Sequence, residues 1–205
     1  MNLSKKIVSL LEANKQNFGS ASLALCGGRS PIKVYKQLSS IKFDWSNIFI
    51  TLTDERILPV NSRKRNEYLI RNTLLNKNIN ETAKFVPLTP KIKIELSAYE
   101  PFTVVLLAVA PDGHFASIFP TMLMDNKFIS TKYQPDILNT MPIGDPFCSR
   151  TTMNLSMLLN SKQIFLLAMD DERRKIIEEA KKDNSFPIHY LINQQKTPIQ
   201  IIEDY

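Results

Sequence analysis

Val104-Val105-Leu106-Leu107-Ala108-Val109-Ala110-Pro111-Asp112-Gly113-His114-Phe115-Ala116-Ser117 decides how this chain is read. Seven consecutive apolar residues run directly into Pro-Asp-Gly-His. An unbroken Val/Leu/Ala run bounded by turn formers reads as a strand buried on both faces, and such strands belong mostly to parallel sheets covered by helices on each side. In open α/β sheets, ligands lie beyond the carboxyl ends of the strands. Asp112 and His114 therefore fall where chemistry is usually done. A carboxylate and an imidazole separated by one glycine suit proton transfer near neutral pH.

Upstream, Leu3, Ile7, Leu10 and Leu11 have helical spacing over residues 3–17. Ala21 to Cys26 reads as a short apolar strand that stops at Gly27-Gly28-Arg29-Ser30-Pro31. A helix is predicted next from Ile32, Val34, Tyr35 and Leu38, with Ser30 as N-cap and Pro31 at its first position. Strand, glycine turn and helix start together offer backbone N–H groups and a positive dipole end to an anion, although a plain tight turn has the same spelling. Asn47 to Thr53 gives another strand, closing on Asp54-Glu55-Arg56, a charge cluster that by itself reads as a solvated loop. Asn66 to Leu75 reads as an amphipathic helix, Lys84 to Leu88 as a short strand, and Thr89 to Glu100 as a polar connection.

Downstream of the central strand, a turn of helix is expected around Phe115 to Phe119, halted by Pro120. Residues 121–148, rich in Pro, Asn, Asp and Met, read as loop with at most short helices. Arg150 opens a strand-then-helix segment, Gln163 to Met169 is another buried strand, and Asp170 caps a helix reaching about Lys182. A short helical turn over Pro187 to Ile192 and a final strand over Pro198 to Ile202 complete the alternation. The expected class is α/β, a three-layer α/β/α arrangement with a mostly parallel, Rossmann-like sheet, in one domain spanning 1–205.

The 205 residues are 43% hydrophobic and 22% charged, ordinary for a globular chain, and the net charge is +6. The cations are scattered apart from Arg63-Lys64-Arg65, so the charge fits an enzyme of phosphorylated metabolites as well as a nucleic-acid binder. No 18-residue apolar run and no secretory leader are recognisable, and Cys26 and Cys148 are too few for a disulfide framework. These features point to the cytoplasm, with no membrane partner. No His/Cys/Glu cluster has metal-ligand spacing, and no cofactor is expected. The Gly-x-Ser-x-Gly elbow, the Walker loop and Gly-x-Gly-x-x-Gly are all absent, against a serine hydrolase, an NTPase or a dinucleotide enzyme.

Four strand ends carry polar signatures: Gly27 to Ser30, Asp54 to Arg56, Asp112 to His114, and Arg173 in the turn after the 163–169 strand. In a parallel sheet all four share one edge. Of the two histidines, His189 lies in a C-terminal turn and reads as a surface or packing residue, which leaves His114 for proton transfer.

Gly27-Gly28-Arg29-Ser30-Pro31, Asp54-Glu55-Arg56 with Asn66 following, Asp112 to Pro120, and Arg150-Thr151-Thr152 resemble, in order, the 6-phosphogluconolactonases of the sugar-phosphate isomerase/lactonase superfamily. The resemblance covers about residues 20–200. It implies hydrolysis of 6-phospho-D-glucono-1,5-lactone to 6-phosphogluconate in the oxidative pentose phosphate pathway. His114 would be the general base, and Asp112 would orient it or help position the substrate. Asp54 and Arg56 would flank the sugar ring, with Arg56 stabilising developing charge. Gly27, Gly28, Arg29, Ser30, Asn66, Arg150 and Arg173 would hold the substrate and its phosphate. No nucleic acid is implied, and the expected state is a monomer or weak homodimer. Two departures stand out: Ala108-Val109-Ala110 replaces a Gly-x-Gly, and Asp170-Asp171-Glu172-Arg173 replaces a Gly-x-x-Lys. They leave open a catalytically weakened sugar-phosphate-binding protein. A glucosamine-6-phosphate deaminase/isomerase is the neighbouring enzyme alternative, disfavoured because Ser117-Ile118-Phe119 lacks that family's acid.

Overall fold

The computed structural model describes residues 2–75, 77–92 and 98–204. The central run forms β5 of a six-stranded parallel sheet, so the fold is easiest to follow from its strands. These are β1 (Ala21–Leu25), β2 (Ile48–Leu52), β4 (Lys84–Phe85), β5 (Val104–Ala108), β8 (Ile164–Leu167) and β9 (Ile199–Ile202), in the order β4-β2-β1-β5-β8-β9. Val104 to Leu107 are fully buried, as are nearly all of β1, β2 and β8. With no polar face to present, these strands must be covered on both sides, which is why their sequences are continuous rather than alternating.

The covering helices begin with α1 (Leu3–Phe18), which buries Leu3, Ile7 and Leu11 against β1 and α2 (Ile32–Ser40). They continue with α3 (Asn66–Thr73), α4 (Lys77–Thr82), α5 (Asn126–Ile129), α6 (Leu155–Leu158), α7 (Asp171–Ala180) and α8 (Pro187–Ile192). α7 starts as its sequence predicts: the Asp170 carboxylate accepts from the Arg173 N–H at 3.0 Å. The predicted alternation of strands and helices is therefore present, and the sheet is parallel throughout its six strands.

Several elements differ from expectation. The charge cluster is not a solvated loop but β3 (Asp54–Arg56), with Asp54 and Glu55 buried. It pairs antiparallel with β7 (Arg150–Met153), which pairs with β6 (Ile137–Asn139), forming a second, three-stranded sheet. That sheet continues the main one past the carboxyl end of β2: the Thr53 N–H donates to Leu25 O, and Met153 N–H to Thr53 O. Ser30 is not the N-cap of α2. A turn closed by Ile32 N–H to Arg29 O leads into the helix, Pro31 occupies the cap position, and Ser30 stays at the sheet edge.

Residues 115–119 do not form a helical turn. Phe115 bridges Ile118, Ala116 has φ of 47°, and the only helix here is a 3-10 turn at Pro120–Met122. Phe115, Ser117 and Ile118 are all buried, a demand that one helical turn with a solvent face cannot meet. α3 ends at Thr73 and β4 at Phe85, both short of their predicted limits. Residues 93–97 of the polar Thr89–Glu100 connection lie outside the described residues.

Candidate active site

The sheet order reverses at β1: β2 lies on one side of it and β5 on the other. Chains leaving β1 and β5 at their carboxyl ends therefore part in opposite directions and leave a crevice, the usual ligand site of such sheets. Gly27 to Ser30 leaves β1 there, and Ala108 to Ala110 leaves β5. Asp54, Arg56 and Arg150 reach the same cleft from the second sheet, Asn66 from the start of α3, Arg173 from α7, and His114 from the loop after β5. Ten of the eleven expected site residues line this one cleft. Asp112 does not, but it touches the residue that does.

His114 is half-buried and stacks on Phe119, with ring centroids 4.2 Å apart. Its Nδ1 lies 2.6 Å from Asp112 Oδ1, which also accepts the His114 backbone N–H at 3.1 Å. An ionised carboxylate can only accept, so Nδ1 carries the hydrogen of the neutral ring and Nε2 keeps its lone pair. Burial alone would raise the Asp112 carboxyl, but the His114 ring and N–H outweigh it and hold the group below the usual carboxylate range.

Asp54 is buried, and its Oδ2 accepts from the Ser117 hydroxyl at 2.7 Å. Ser117 is itself fixed by its N–H donating to Thr152 Oγ1. Arg56 faces Arg150 across the β3–β7 register. Its terminal nitrogen donates to Lys64 O at 2.5 Å, while its Nε is buried with no partner among the described residues. Arg150 is buried, and it donates from Nε to Ile143 O and from one terminal nitrogen to Asp145 O and Pro146 O, each at 3.2 Å. It is thus a clasp on the 143–146 loop as well as a cleft cation. Burial, then the neighbouring Arg56, lowers its pKa from the ordinary guanidinium value.

Gly28 and Arg29 are exposed at the rim. Gly27 lies against Asn66: a Cβ added at Gly27 would sit 1.9 Å from Asn66 Oδ1. The Asn66 amide donates to Asp54 O at 2.8 Å, and its buried Oδ1 has no partner among the described residues. Arg173 donates from Nε to Val109 O at 3.0 Å and pairs through a terminal nitrogen with Asp170. His189 stands apart from the cleft, its Nδ1 2.7 Å from Ala180 O.

Sequence reading passed over Glu55 and Ser117. Glu55 accepts the backbone N–H groups of Arg56 (2.6 Å), Asn66 (2.8 Å) and Glu67 (2.8 Å), capping α3 from a neighbouring strand. The available signal was Arg65 at the N-cap position, which makes no side-chain cap and leaves the first N–H groups of the helix to a distant acceptor. Ser117 carried no comparable local signal.

Fold and cleft define an α/β protein with four guanidinium groups gathered near one imidazole–carboxylate pair at the switch point of a parallel sheet. The family model described as glucosamine-6-phosphate isomerases/6-phosphogluconolactonase matches residues 1–200, and the chain belongs to that family. A 6-phosphogluconolactonase of Neisseria meningitidis is 31% identical over 94% of this chain and 89% of its own length. One of Helicobacter pylori is 31% identical over 94% and 91%. The crystal structure of a 6-phosphogluconolactonase from Shewanella baltica superposes with a TM-score of 0.82 at 31% identity, covering 97% of this chain and 90% of that one. No helix among the described residues is long and apolar enough to cross a membrane, and no metal-competent cluster of His, Cys, Asp and Glu occurs among them.

Proposed function

We propose that this chain hydrolyses 6-phospho-D-glucono-1,5-lactone to 6-phosphogluconate, working as a single cytoplasmic domain in the oxidative pentose phosphate pathway. The observation that carries the proposal is the 2.6 Å contact between His114 Nδ1 and Asp112, which leaves Nε2 basic in a cleft rimmed by Arg56, Arg150 and Arg173. In this reading, Nε2 takes a proton from the water that attacks the lactone carbonyl. The oxyanion that forms is met by the guanidinium of Arg56, which lines the cleft. As the tetrahedral intermediate collapses, the C–O bond to the ring oxygen breaks and the imidazolium returns the proton to that oxygen. Asp112 keeps the ring in the productive tautomer and stabilises its charged form. Asn66, packed against Gly27, lines the cleft beneath the sugar.

The phosphate rests at the Gly27–Ser30 turn, between the free ends of Arg150 and Arg173. A lactone is an activated ester, so one base and one charge-stabilising donor suffice for it. No nucleic-acid partner is needed, and the chain acts as a monomer or weak dimer.

Lactone decay followed against the spontaneous background tests the reading. The wild type should accelerate it, while His114→Ala should lose about 10²–10⁴-fold and bind 6-phosphogluconate nearly as well as before. Wild-type turnover in His114→Ala removes the imidazole from its role. Ammonia release from glucosamine 6-phosphate without lactone hydrolysis would overturn the reaction class.

A further inference from the structure

Three acids crowd the one cleft cation supplied by α7, and they are not equivalent. Asp171 pairs with Arg174, and its side chain is 99% exposed. Glu172 is exposed. Asp170 alone turns onto Arg173: one oxygen accepts the Arg173 backbone N–H, and the other pairs with a terminal guanidinium nitrogen. A second guanidinium nitrogen, Nε, is held by Val109 O. Only the remaining terminal nitrogen has no partner among the described residues. Arg173 thus meets the cleft with one open nitrogen and with most of its charge balanced by a neighbour.

From this we infer that Asp170 is a built-in competitor for Arg173, setting the affinity of the cleft for phosphorylated ligands well below what its cations would otherwise give. The inference rests on the reading of Arg173 as a phosphate contact. Asp170 does two jobs that can be separated. Its capping role needs only a side-chain oxygen, which asparagine or serine also supplies. Its competing role needs a full negative charge. That charge repels an incoming dianion directly and occupies a donor that would otherwise grip it. A charge at such short range from a dianion in a partly solvated cleft alters binding by about three- to tenfold. Asp170 is therefore a positioning residue whose effect falls on affinity and release, leaving the imidazole chemistry alone.

Asp170→Asn and Asp170→Ser keep a cap and remove the charge. Both should lower KM for the lactone, and the Kd for 6-phosphogluconate measured by calorimetry, by about three- to tenfold, with kcat within about twofold of wild type. Inorganic phosphate should bind more tightly in both variants. Glu172→Gln removes a charge from the same helical turn and should change neither constant. Unchanged or weaker binding in either Asp170 variant overturns the inference, because the carboxylate would then be aiming Arg173 rather than competing for it. An equal gain in Glu172→Gln overturns it as well, since the effect would belong to the general field. Arg173→Ala separates the two levels: if it binds 6-phosphogluconate like wild type, the underlying reading of Arg173 fails. If it binds weakly and the Asp170 variants do not bind better, only the competition fails.

Discussion

Gly27 and Gly28 are adjacent and look interchangeable in sequence, yet their surroundings demand different things. A Cβ at Gly27 would collide with the buried Asn66 amide at 1.9 Å, and Asn66 cannot swing away without breaking its bond to Asp54 O. Gly28 has φ of 88° with nothing within 4 Å of an added Cβ, so its only demand is the left-handed backbone. Gly27→Ala should therefore cost about 1–3 kcal/mol through overpacking and displace Asn66 from the cleft, raising KM. Gly28→Ala should cost about 1–2 kcal/mol from the backbone alone without moving Asn66. Urea denaturation of both variants, with KM measured alongside, checks the pair; equal effects on KM would remove the distinction. At this scale the lining of the cleft was largely legible. His114, Asp112 and the cleft arginines stand out because few residue types can do proton transfer or bind anions. The double engagement of Arg150 was not legible, because its acceptors are backbone carbonyls of the loop just before it, and a carbonyl that every residue carries leaves no mark on the sequence.

Among the elements, β3 and α3 are joined by one side chain. Glu55 holds three N–H groups at once, and losing it strands donors at the start of α3 together with the Arg56 N–H. Glu55→Ala should destabilise by about 2–4 kcal/mol, as expected for several buried donors left unpaired. Glu55→Gln should cost less, since its carbonyl can still serve two of the three. Burial pushes the Glu55 carboxyl up, against the pull of its N–H donors and Arg65. A carboxyl raised in the folded state gives stability that is complete below the unfolded value of about 4.3 and is lost as pH rises through the folded value. Wild-type stability measured relative to Glu55→Gln should thus decline as pH rises from about 4.3 through the folded value, and a flat or rising difference across that window would reverse the assignment. Elements with a strong local pattern were readable: the helical spacing of α1 and the unbroken apolar runs of β1 and β5. β3 and the 115–119 turn were not, because their form is set by tertiary contacts: pairing with β7 in one case, and three side chains demanding burial on different sides in the other.

The whole molecule places its cleft where the order of a parallel sheet turns back on itself, which explains why signals scattered from Gly27 to Arg173 meet. That convergence followed from the strands being parallel, and the continuous apolar runs made this readable. The strand order and the second sheet depend on long-range pairing and were not. The net charge of +6 acts at the same scale. Arg29, Arg56, Arg150 and Arg173 concentrate positive potential at one edge, and the exposed Arg63 and Lys64 lie on the loop between Arg56 and Asn66. A doubly charged substrate should be drawn in by this field, and an uncharged one should not. Raising ionic strength from about 0.02 to 0.2 M shortens the screening length from roughly 20 Å to below 10 Å. Accordingly kcat/KM for the phosphorylated lactone should fall several-fold over that range while kcat stays nearly constant. For unphosphorylated glucono-1,5-lactone, which lacks the anchor, kcat/KM should be low and insensitive to salt. Parallel salt dependence for the two lactones would mean that the arginines act on the reacting carbonyl alone and that the phosphate is bound elsewhere. A fall confined to the phosphorylated substrate locates its charge at the rim defined by Arg29, Arg150 and Arg173.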